Sequence, residues 1–167
     1  CMKATAYENA TSKNYESESW LISPEIDLAG QTAAYLTFEH AGGYFGTPAN
    51  EATVWVSKDG GDWAQLTIAA DDYPTSWSFI PAGHWNLENY LGSKVKFALK
   101  YASTATKAGT WEVRNFAVIA GTYEEAPAPE QPDTPEGTTV TIKTTSALTW
   151  ADDTHSTYGP GLKTTVD

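Results

Sequence analysis

The sequence is short of cysteine and of positive charge. Cys1 is its one cysteine, and 10 Lys and Arg residues stand against 21 Asp and Glu residues. A single cysteine excludes an internal disulfide framework and a zinc site built on cysteines. The formal net charge of −11 repels a phosphate backbone, which argues against nucleic acid as a partner.

Long apolar runs and helical periodicity are missing as well. No apolar run approaches the roughly 20 residues of a transmembrane helix, so no transmembrane segment is expected. The nearest approach to a 3.6-residue period is a turn or so at residues 86–91. Aromatic residues, by contrast, make up 13% of the chain, and such side chains pack well on the pleated faces of sheets.

Cys1 has two interpretations. It is the residue that would carry the lipid of a bacterial lipoprotein after cleavage of a signal, or it is merely where this stretch of chain begins. Both interpretations stay open. An export signal, if the protein has one, would lie outside this chain.

Alternation of apolar and polar residues dominates the first 120 residues. In KVKFALKY, at 94–101, the lysines take one face and the large apolar groups the other, which predicts a half-buried antiparallel strand. The motif KDGGDW, at 58–63, predicts a hairpin. A change of pattern at Phe116 and Val118 predicts either a bulge in the last strand or a strand covered on both sides. Further strands are predicted at 34–40, 52–57, 64–68, 76–80 and 111–119.

Short strands at this spacing, separated by turn residues, predict an all-β fold, a β-sandwich of antiparallel strands over residues 1–122. The stretch YEEAPAPEQPDTPEG, at 123–137, is rich in Pro and Glu and predicts an extended linker. Residues 138–167 offer one strand, at 139–144, and are too few to fold alone. They are predicted to be the start of a second, incomplete β module.

The stretch SWLISPEIDL, at 19–28, admits a structural and a catalytic interpretation. Trp20, Ile22, Pro24, Ile26 and Leu28 share one face of an extended chain, with Leu21 on the other, and Pro24 marks a break between two short strands, so packing accounts for the apolar residues. Glu25 and Asp27 are also spaced like two acids of a retaining glycosidase. The third acid of that pattern would fall where the chain has Ala29 and Gly30. A glycoside hydrolase is therefore the weaker hypothesis.

Aromatic residues in predicted loops are the candidate ligand-binding residues. Flat rings in loops at one end of a sandwich stack on sugar faces or anchor a protein partner. The candidates are Tyr44, Phe45, Tyr73, Trp77 and Trp85, the last of them expected in a turn. The tryptophans predicted to pack on strands are Trp20, Trp55, Trp63 and Trp111.

The three histidines do not suggest a catalytic site. His40 lies on the apolar face of its strand and is predicted to be a core or strand-end histidine. His84 is expected on the surface of a loop. The residues around His155 do not indicate the geometry of any site. No nucleophile elbow, zinc-type histidine pair or phosphate-binding glycine loop is present.

Four segments resemble the choice-of-anchor J modules of Bacteroidota surface proteins, which are similar to the cleaved-adhesin domains of gingipains and to MAM domains. The segments are ESWLISPEIDL, LTFEHAGGYF, VWVSKDGGDWAQL and KFALKYASTATKAGTWEVRNFAVI. The resemblance spans about Lys3 to Ala120. It implies a jelly-roll sandwich that is extracellular or held on the outer-membrane surface, and whose first strands are missing from this chain.

The resemblance also implies a non-catalytic accessory role. Such modules bind a glycan or a host or matrix protein, or act as structural spacers between the neighbouring domains of a longer chain. Relatives often hold a structural calcium near the start of the final strand. Here Glu39 and Asn115 would supply its oxygen ligands, although the family's acidic pair reads Arg114-Asn115.

Overall fold

The computed structural model describes residues 1–125, 148–155 and 159–166. The chain separates into two compact units, Cys1–Glu125 and Ala126–Asp167. The strands of the first unit are β1 (Met2–Thr5), β2 (Tyr7–Glu8), β3 (Lys13–Asn14), β4 (Ser17–Ile22), β5 (Ile26–Asp27), β6 (Ala34–Gly43), β7 (Ala52–Lys58), β8 (Trp63–Leu66), β9 (Ile80–Asn86), β10 (Lys94–Ser103) and β11 (Thr110–Ala120). Its helical elements are the single turn α1 (Pro48–Glu51) and two 3₁₀ turns, Ala70–Asp72 and Glu88–Tyr90.

Two antiparallel sheets form the first unit. Sheet one has the order β1-β11-β6-β9, and sheet two has the order β4-β10-β7-β8 with the short β5 paired to β10. β2 and β3 form a separate small hairpin. Along the chain the eight longer strands are shared between the sheets in the double Greek-key pattern of a jelly roll. The predicted all-β jelly-roll sandwich of antiparallel strands is therefore confirmed.

The core lies between the two sheets and follows the predicted alternation. Leu36 and Phe38 of β6, and Val54 and Val56 of β7, are at most 1% exposed. The ring of Phe97 on β10 lies 6.0 Å from that of Phe116 on β11, so the two sheets meet through large side chains. Burying a side chain of this size contributes about 1.5–3 kcal/mol, which makes this layer the main source of stability.

Several local predictions are confirmed. In the β7–β8 hairpin Asp59 and Gly60 have φ of 50° and 74°, as a type I′ turn requires. The chain breaks around Pro24, between β4 and β5. The pairing of β11 with β6 shifts register between Arg114 and Ala117, which is the predicted bulge.

Other local predictions are wrong. The strand predicted at 76–80 is a run of bends, and β9 begins only at Ile80. The three short N-terminal strands are not indicated by the sequence pattern at all. These strands have little alternation because they are edge or hairpin segments with mostly exposed side chains.

The interpretation of SWLISPEIDL as a uniformly packed face is also wrong. Trp20 and Ile22 are paired with Lys100 and Ala98, which point outward from sheet two. Their exposed fractions are 36% and 50%. Trp20 therefore lies on the outer face of the sandwich and not in its core.

The second unit contains the antiparallel pair β12 (Leu148–His155) and β13 (Gly159–Val166). The strand predicted at 139–144, and the linker from residue 126 to 137, lie outside the described residues. Both sheets of the jelly roll come from described residues, and further strands before Cys1 stay a prediction. No described helix has the length and apolar character needed to cross a bilayer.

Candidate functional site

A cleft of about 570 Å³ opens beside the loops that follow β6 and β10. Three aromatic residues line it, namely Tyr7, Tyr44 and Trp77. Its polar lining consists of Lys3, Thr5, Asn9, Asn14, Lys107 and Thr110. We call this feature the aromatic cleft, because it combines exposed rings with amide, hydroxyl and ammonium groups.

Two loop residues form the exposed aromatic pair of the cleft. Tyr44 is 74% exposed and Trp77 is 51% exposed. Their ring centroids lie 6.2 Å apart at an interplanar angle of 51°. The pair comes from two different loops, and a hydrogen bond from the Gly42 N–H to the Ser76 carbonyl, 3.0 Å long, ties these loops together. Both rings are thus presented to solvent from a fixed base.

Phe45 anchors the loop that presents Tyr44. Its ring lies over Gly42 and Gly109, where an added Cβ would come within 3.1 Å and 2.4 Å of ring atoms. Phe45 packs against the core, while Tyr44 points outward with a φ of 64°. This left-handed conformation is uncommon for a residue other than glycine and persists only where neighbouring contacts enforce it.

A buried carboxylate holds the same loop from its other end. The short turn α1 places Glu51 beneath the loop, with 9% of its surface exposed. Its Oε1 atom accepts hydrogen bonds of 2.6 Å from the N–H groups of both Gly46 and Thr47. Charge-assisted hydrogen bonds of this kind are about twice as strong as neutral ones, so they restrict the loop's conformation.

The opposite wall is held together by Asn14 of β3. Its Nδ2 donates to the Thr106 carbonyl, and its Oδ1 accepts from the Ala108 N–H, each at 3.1 Å. The β2–β3 hairpin is thereby joined to the loop before β11. The side chains of Tyr7 and Asn9 form no hydrogen bond with other described residues, so their polar atoms are available to a ligand.

Two lysines give the cleft its charge. An added Cβ on Gly46 would lie 3.0 Å from Cγ of Lys107, so the Lys107 stem runs beside the Tyr44 loop. Lys3 reaches Glu112 only at 3.8 Å, with its side chain 54% exposed. Among the described residues no Asp or Glu lines the cleft.

Three of the predicted ligand-binding residues lie elsewhere. Phe45 is the anchor described above, and Tyr73 is half-buried with its ring 6.3 Å from that of His40. Burial raises the pKa of the Tyr73 hydroxyl. Their position in loops was predicted correctly, but both rings turn inward to cover the core.

The expectation that Trp85 lies in a turn is wrong. Trp85 belongs to β9, and its ring stacks on Phe38 at 5.5 Å and 14°. Its Nε1–H donates to the Thr67 carbonyl at 2.8 Å. Gly83, two residues earlier, has a φ of 98° within the strand, where β9 shifts register against β6. Only Tyr44 and Trp77 of the five predicted residues meet at a surface.

His40 is a core histidine, as the sequence predicts. It is fully buried, its Nε2 lies 2.6 Å from the Asp72 carbonyl, and its Nδ1 accepts from the indole N–H of Trp111 at 3.2 Å. Nε2 therefore carries the proton and the ring is neutral. Burial lowers the pKa of His40.

Glu39 and Asn115 lie together, but their geometry does not fit a calcium ion between them. Oε2 of Glu39 accepts from Nε of Arg114 at 2.5 Å and from the Asn115 amide at 2.9 Å. The arginine already supplies the positive charge that a cation would bring. Within the described residues no group of three or more acidic, histidine or cysteine side chains is placed to hold a metal. A structural calcium elsewhere stays a prediction.

Glu25 and Asp27 have separate structural partners. Glu25 pairs with Lys94 at 3.1 Å, and its side chain is 47% exposed. Asp27 accepts from the Ala29 N–H at 2.8 Å, which stabilises the turn after β5. Neither carboxylate lines the aromatic cleft, so the site offers no acid pair of the kind that cleaves a glycosidic bond.

A second aromatic surface, the tryptophan cluster, lies on the outer face of sheet two. The Trp20 ring lies 5.6 Å from that of Trp55 and 5.8 Å from that of Trp63. Lys100 Nζ sits 5.1 Å from the Trp20 ring and pairs with Glu18 at 3.0 Å. The sequence feature that could have indicated the tryptophan cluster is the lysine-bearing face of β10. Trp20 and Trp55 lie on the same outward face of sheet two as those lysines.

No family model and no curated protein matches the chain. Among solved structures it is similar to the carbohydrate-binding module TmCBM61, which was solved in complex with β-1,4-galactotriose. The TM-score is 0.40 and the identity 13%, over 71% of this chain and 82% of that one. Similarity at this level assigns neither a family nor a ligand to this chain.

Proposed function

We propose that the first unit is a non-catalytic module that binds a glycan in the aromatic cleft. The observation that carries the proposal is the exposed pair of Tyr44 and Trp77 beside a polar wall. Pyranose rings present flat C–H faces that pack on aromatic rings, and their hydroxyls need donors and acceptors nearby. The cleft offers both kinds of group.

The size and build of the cleft support a small ligand over an extended protein surface. Its volume of about 570 Å³ falls in the range of small-molecule sites. Its loops are held by Phe45, Glu51 and Asn14, so little conformational entropy is lost when a ligand binds. A host or matrix protein that inserts one side chain into the cleft is the alternative partner.

The exposed pair also favours a binding role over that of a spacer. A pure spacer has no need of two large rings in solvent, one of them in a left-handed backbone conformation. Such features cost stability and are expected where they serve a ligand. A structural spacer in a multi-domain surface protein is the second candidate function.

The cellular location of the module is part of the same proposal. The resemblance to choice-of-anchor J modules supports a secreted or surface-anchored bacterial protein, and Cys1 would be its anchor if it is lipidated. A location on the outer surface agrees with a module that meets glycans. Mass spectrometry of the protein from its native membrane would show whether Cys1 carries a lipid.

The test is a glycan array followed by calorimetric titration of the saccharides that bind. Trp77→Ala and Tyr44→Ala are each expected to weaken binding about tenfold or more, because a stacked ring contributes roughly 1–2 kcal/mol. The matched control is Trp20→Ala, which removes an exposed tryptophan on the outer face of sheet two. It is expected to bind like the wild type.

Three outcomes would contradict the proposal. A broad array on which no saccharide binds would leave the spacer as the function. Binding lost only in Trp20→Ala would move the site to the tryptophan cluster. A matrix protein that binds through Trp77 in the absence of any saccharide would favour the protein partner.

A further inference from the structure

We infer that the glycan taken by the aromatic cleft is anionic, a saccharide that carries carboxylate or sulfate groups. This inference rests on the proposed function and adds the chemical class of the ligand. It comes from the distribution of charge in the first unit and from the groups that face the cleft.

The charge of the residues that line the cleft is opposite in sign to the net charge of the chain. The chain has 21 acidic and 10 basic residues, whereas the cleft is lined by Lys3 and Lys107 and by no described acidic residue. A net charge of −11 repels anions in general. Two ammonium groups on one small concave surface are therefore a local reversal of charge, and they favour an anionic ligand there.

The two lysines of the cleft are less compensated than Lys94 and Lys100. Lys94 and Lys100 lie within 3.1 Å of Glu25 and Glu18. Lys107 has no carboxylate within ion-pair distance among the described residues, and Lys3 meets Glu112 only at 3.8 Å. A carboxylate or sulfate of a ligand would provide the missing partner.

Neutral donors surround the two ammonium groups. Asn9 brings an amide N–H₂ and Tyr7 a hydroxyl, neither of them engaged with another described residue. An anionic group accepts several hydrogen bonds at once, and bonds to a charged acceptor are shorter and stronger than neutral ones. The rings of Tyr44 and Trp77 then take the apolar face of the sugar.

The experiment titrates the full chain with matched saccharides at roughly 0.05 M salt. One arm compares uronate trimers with their carboxyl-reduced neutral counterparts, and a second compares a sulfated oligosaccharide with its desulfated form. In at least one arm the anionic member is expected to bind about fivefold tighter, the upper range for an exposed ion pair. Roughly 1 M salt should remove most of this advantage by screening.

Variants assign the effect to the cleft. Lys107→Gln and Lys3→Gln are each expected to reduce the anionic advantage, which is the ratio of the affinities for the anionic and the neutral member in the same variant. Lys96→Gln, which removes an exposed lysine on the outer face of sheet two, is the matched control and should leave this ratio unchanged.

The outcomes separate the two proposals. Equal binding of the anionic and neutral members in both arms overturns the inference and leaves glycan binding standing. The inference is overturned in the same way if Lys96→Gln removes the advantage as fully as Lys107→Gln. Failure of every saccharide to bind overturns the proposed function together with the inference.

Discussion

At the scale of single residues, the packing of the Phe45 ring against Gly42 and Gly109 determines whether the cleft keeps its shape. A Cβ at position 109 would lie 2.4 Å from a ring carbon of Phe45, well inside van der Waals contact. In Gly109→Ala the ring must therefore move, and the Tyr44 loop with it. We expect an unfolding free energy lower by about 1–3 kcal/mol and a loss of saccharide binding.

The control for this prediction is Gly43→Ala, at the end of β6 directly before Tyr44. A Cβ at Gly43 meets nothing within 4 Å, and its φ is not in the left-handed region. Denaturant titration and calorimetry should find this variant close to the wild type in stability and affinity. Unchanged binding by a folded Gly109→Ala would show that Phe45 does not position the site.

His40 is the residue through which acid should weaken the fold. Burial holds its pKa below the ordinary value of 6.5, so the folded protein takes up its proton less readily than the unfolded chain does. Stability from the neutral ring is fully present above pH 6.5 and falls as the pH drops through that value. The loss approaches about 1.4 kcal/mol per pH unit until the folded protein is itself protonated.

Urea unfolding between pH 7.5 and 5 measures this effect, and ring nitrogen shifts measure the proton directly. His84→Gln is the control, because His84 is exposed and stacks on Tyr123. It should show the same pH profile as the wild type. A His40 ring that titrates at or above 6.5 would contradict the assignment of a neutral, buried histidine.

At the scale of strands and sheets, periodicity predicted the core faces of β6 and β10 but not the orientation of β4. Alternation separates two faces and identifies the core face only where the other face is polar. In Trp20-Leu21-Ile22 both faces are apolar, so the pattern left the choice open. Cross-strand pairing with Lys100 decides it, and that pairing is a long-range contact that local sequence does not encode.

The same limit applies to the candidate site. Tyr44 and Trp77 could be predicted as loop aromatics, because glycines and a proline flank them. The polar wall could not, since Lys3, Asn9 and Lys107 come together only when β1, the β2–β3 hairpin and the loop before β11 are in place. Loop position also says nothing about whether a ring turns outward, as Tyr44 does, or inward, as Tyr73 does.

Two tryptophans, one in the core between the sheets and one on the outer face of sheet two, give a direct test of the orientation of β4. Trp111 is 3% exposed and lies in the core cluster, whereas Trp20 is 36% exposed on sheet two. Trp111→Ala should lower the unfolding free energy by about 3–5 kcal/mol. Trp20→Ala should cost about 1 kcal/mol, since its exposed ring contacts the rings of Trp55 and Trp63 and Lys100, and donates one hydrogen bond to Glu18. Equal losses in denaturant titrations would contradict this orientation of β4.

At the scale of the whole first unit, the pattern of apolar residues determines the fold, whereas the distribution of charge distinguishes one part of the surface from another. The jelly roll follows from alternation, and a net charge of −11 does not select it. Charge instead separates one cleft, with its lysines, from a surface where acids outnumber bases. The fold therefore supplies the rigid loops, and the proposed selectivity for anionic glycans would come from the arrangement of charge.

The C-terminal limit of the first unit supplies the last prediction. Composition places Tyr123 in the linker, whereas its ring stacks on His84 at 3.7 Å and meets the edge of Tyr35 at 5.3 Å. A fragment that ends at Thr122 loses these contacts, and one that ends at Glu125 keeps them. We expect the shorter fragment to be less stable by about 1 kcal/mol, which lowers its Tm by roughly 3–5 °C.

Tyr123→Ala in the longer fragment should reproduce that loss, because the ring and not the chain length is responsible. Glu124→Ala is the matched control and should melt with the unaltered fragment. Equal Tm values for the fragments that end at residues 122 and 125 would show that Tyr123 does not stabilise the first unit and belongs to the linker. A loss in the truncated fragment that Tyr123→Ala does not share would instead assign the stability to the backbone of residues 123–125 or to the side chains of Glu124 and Glu125.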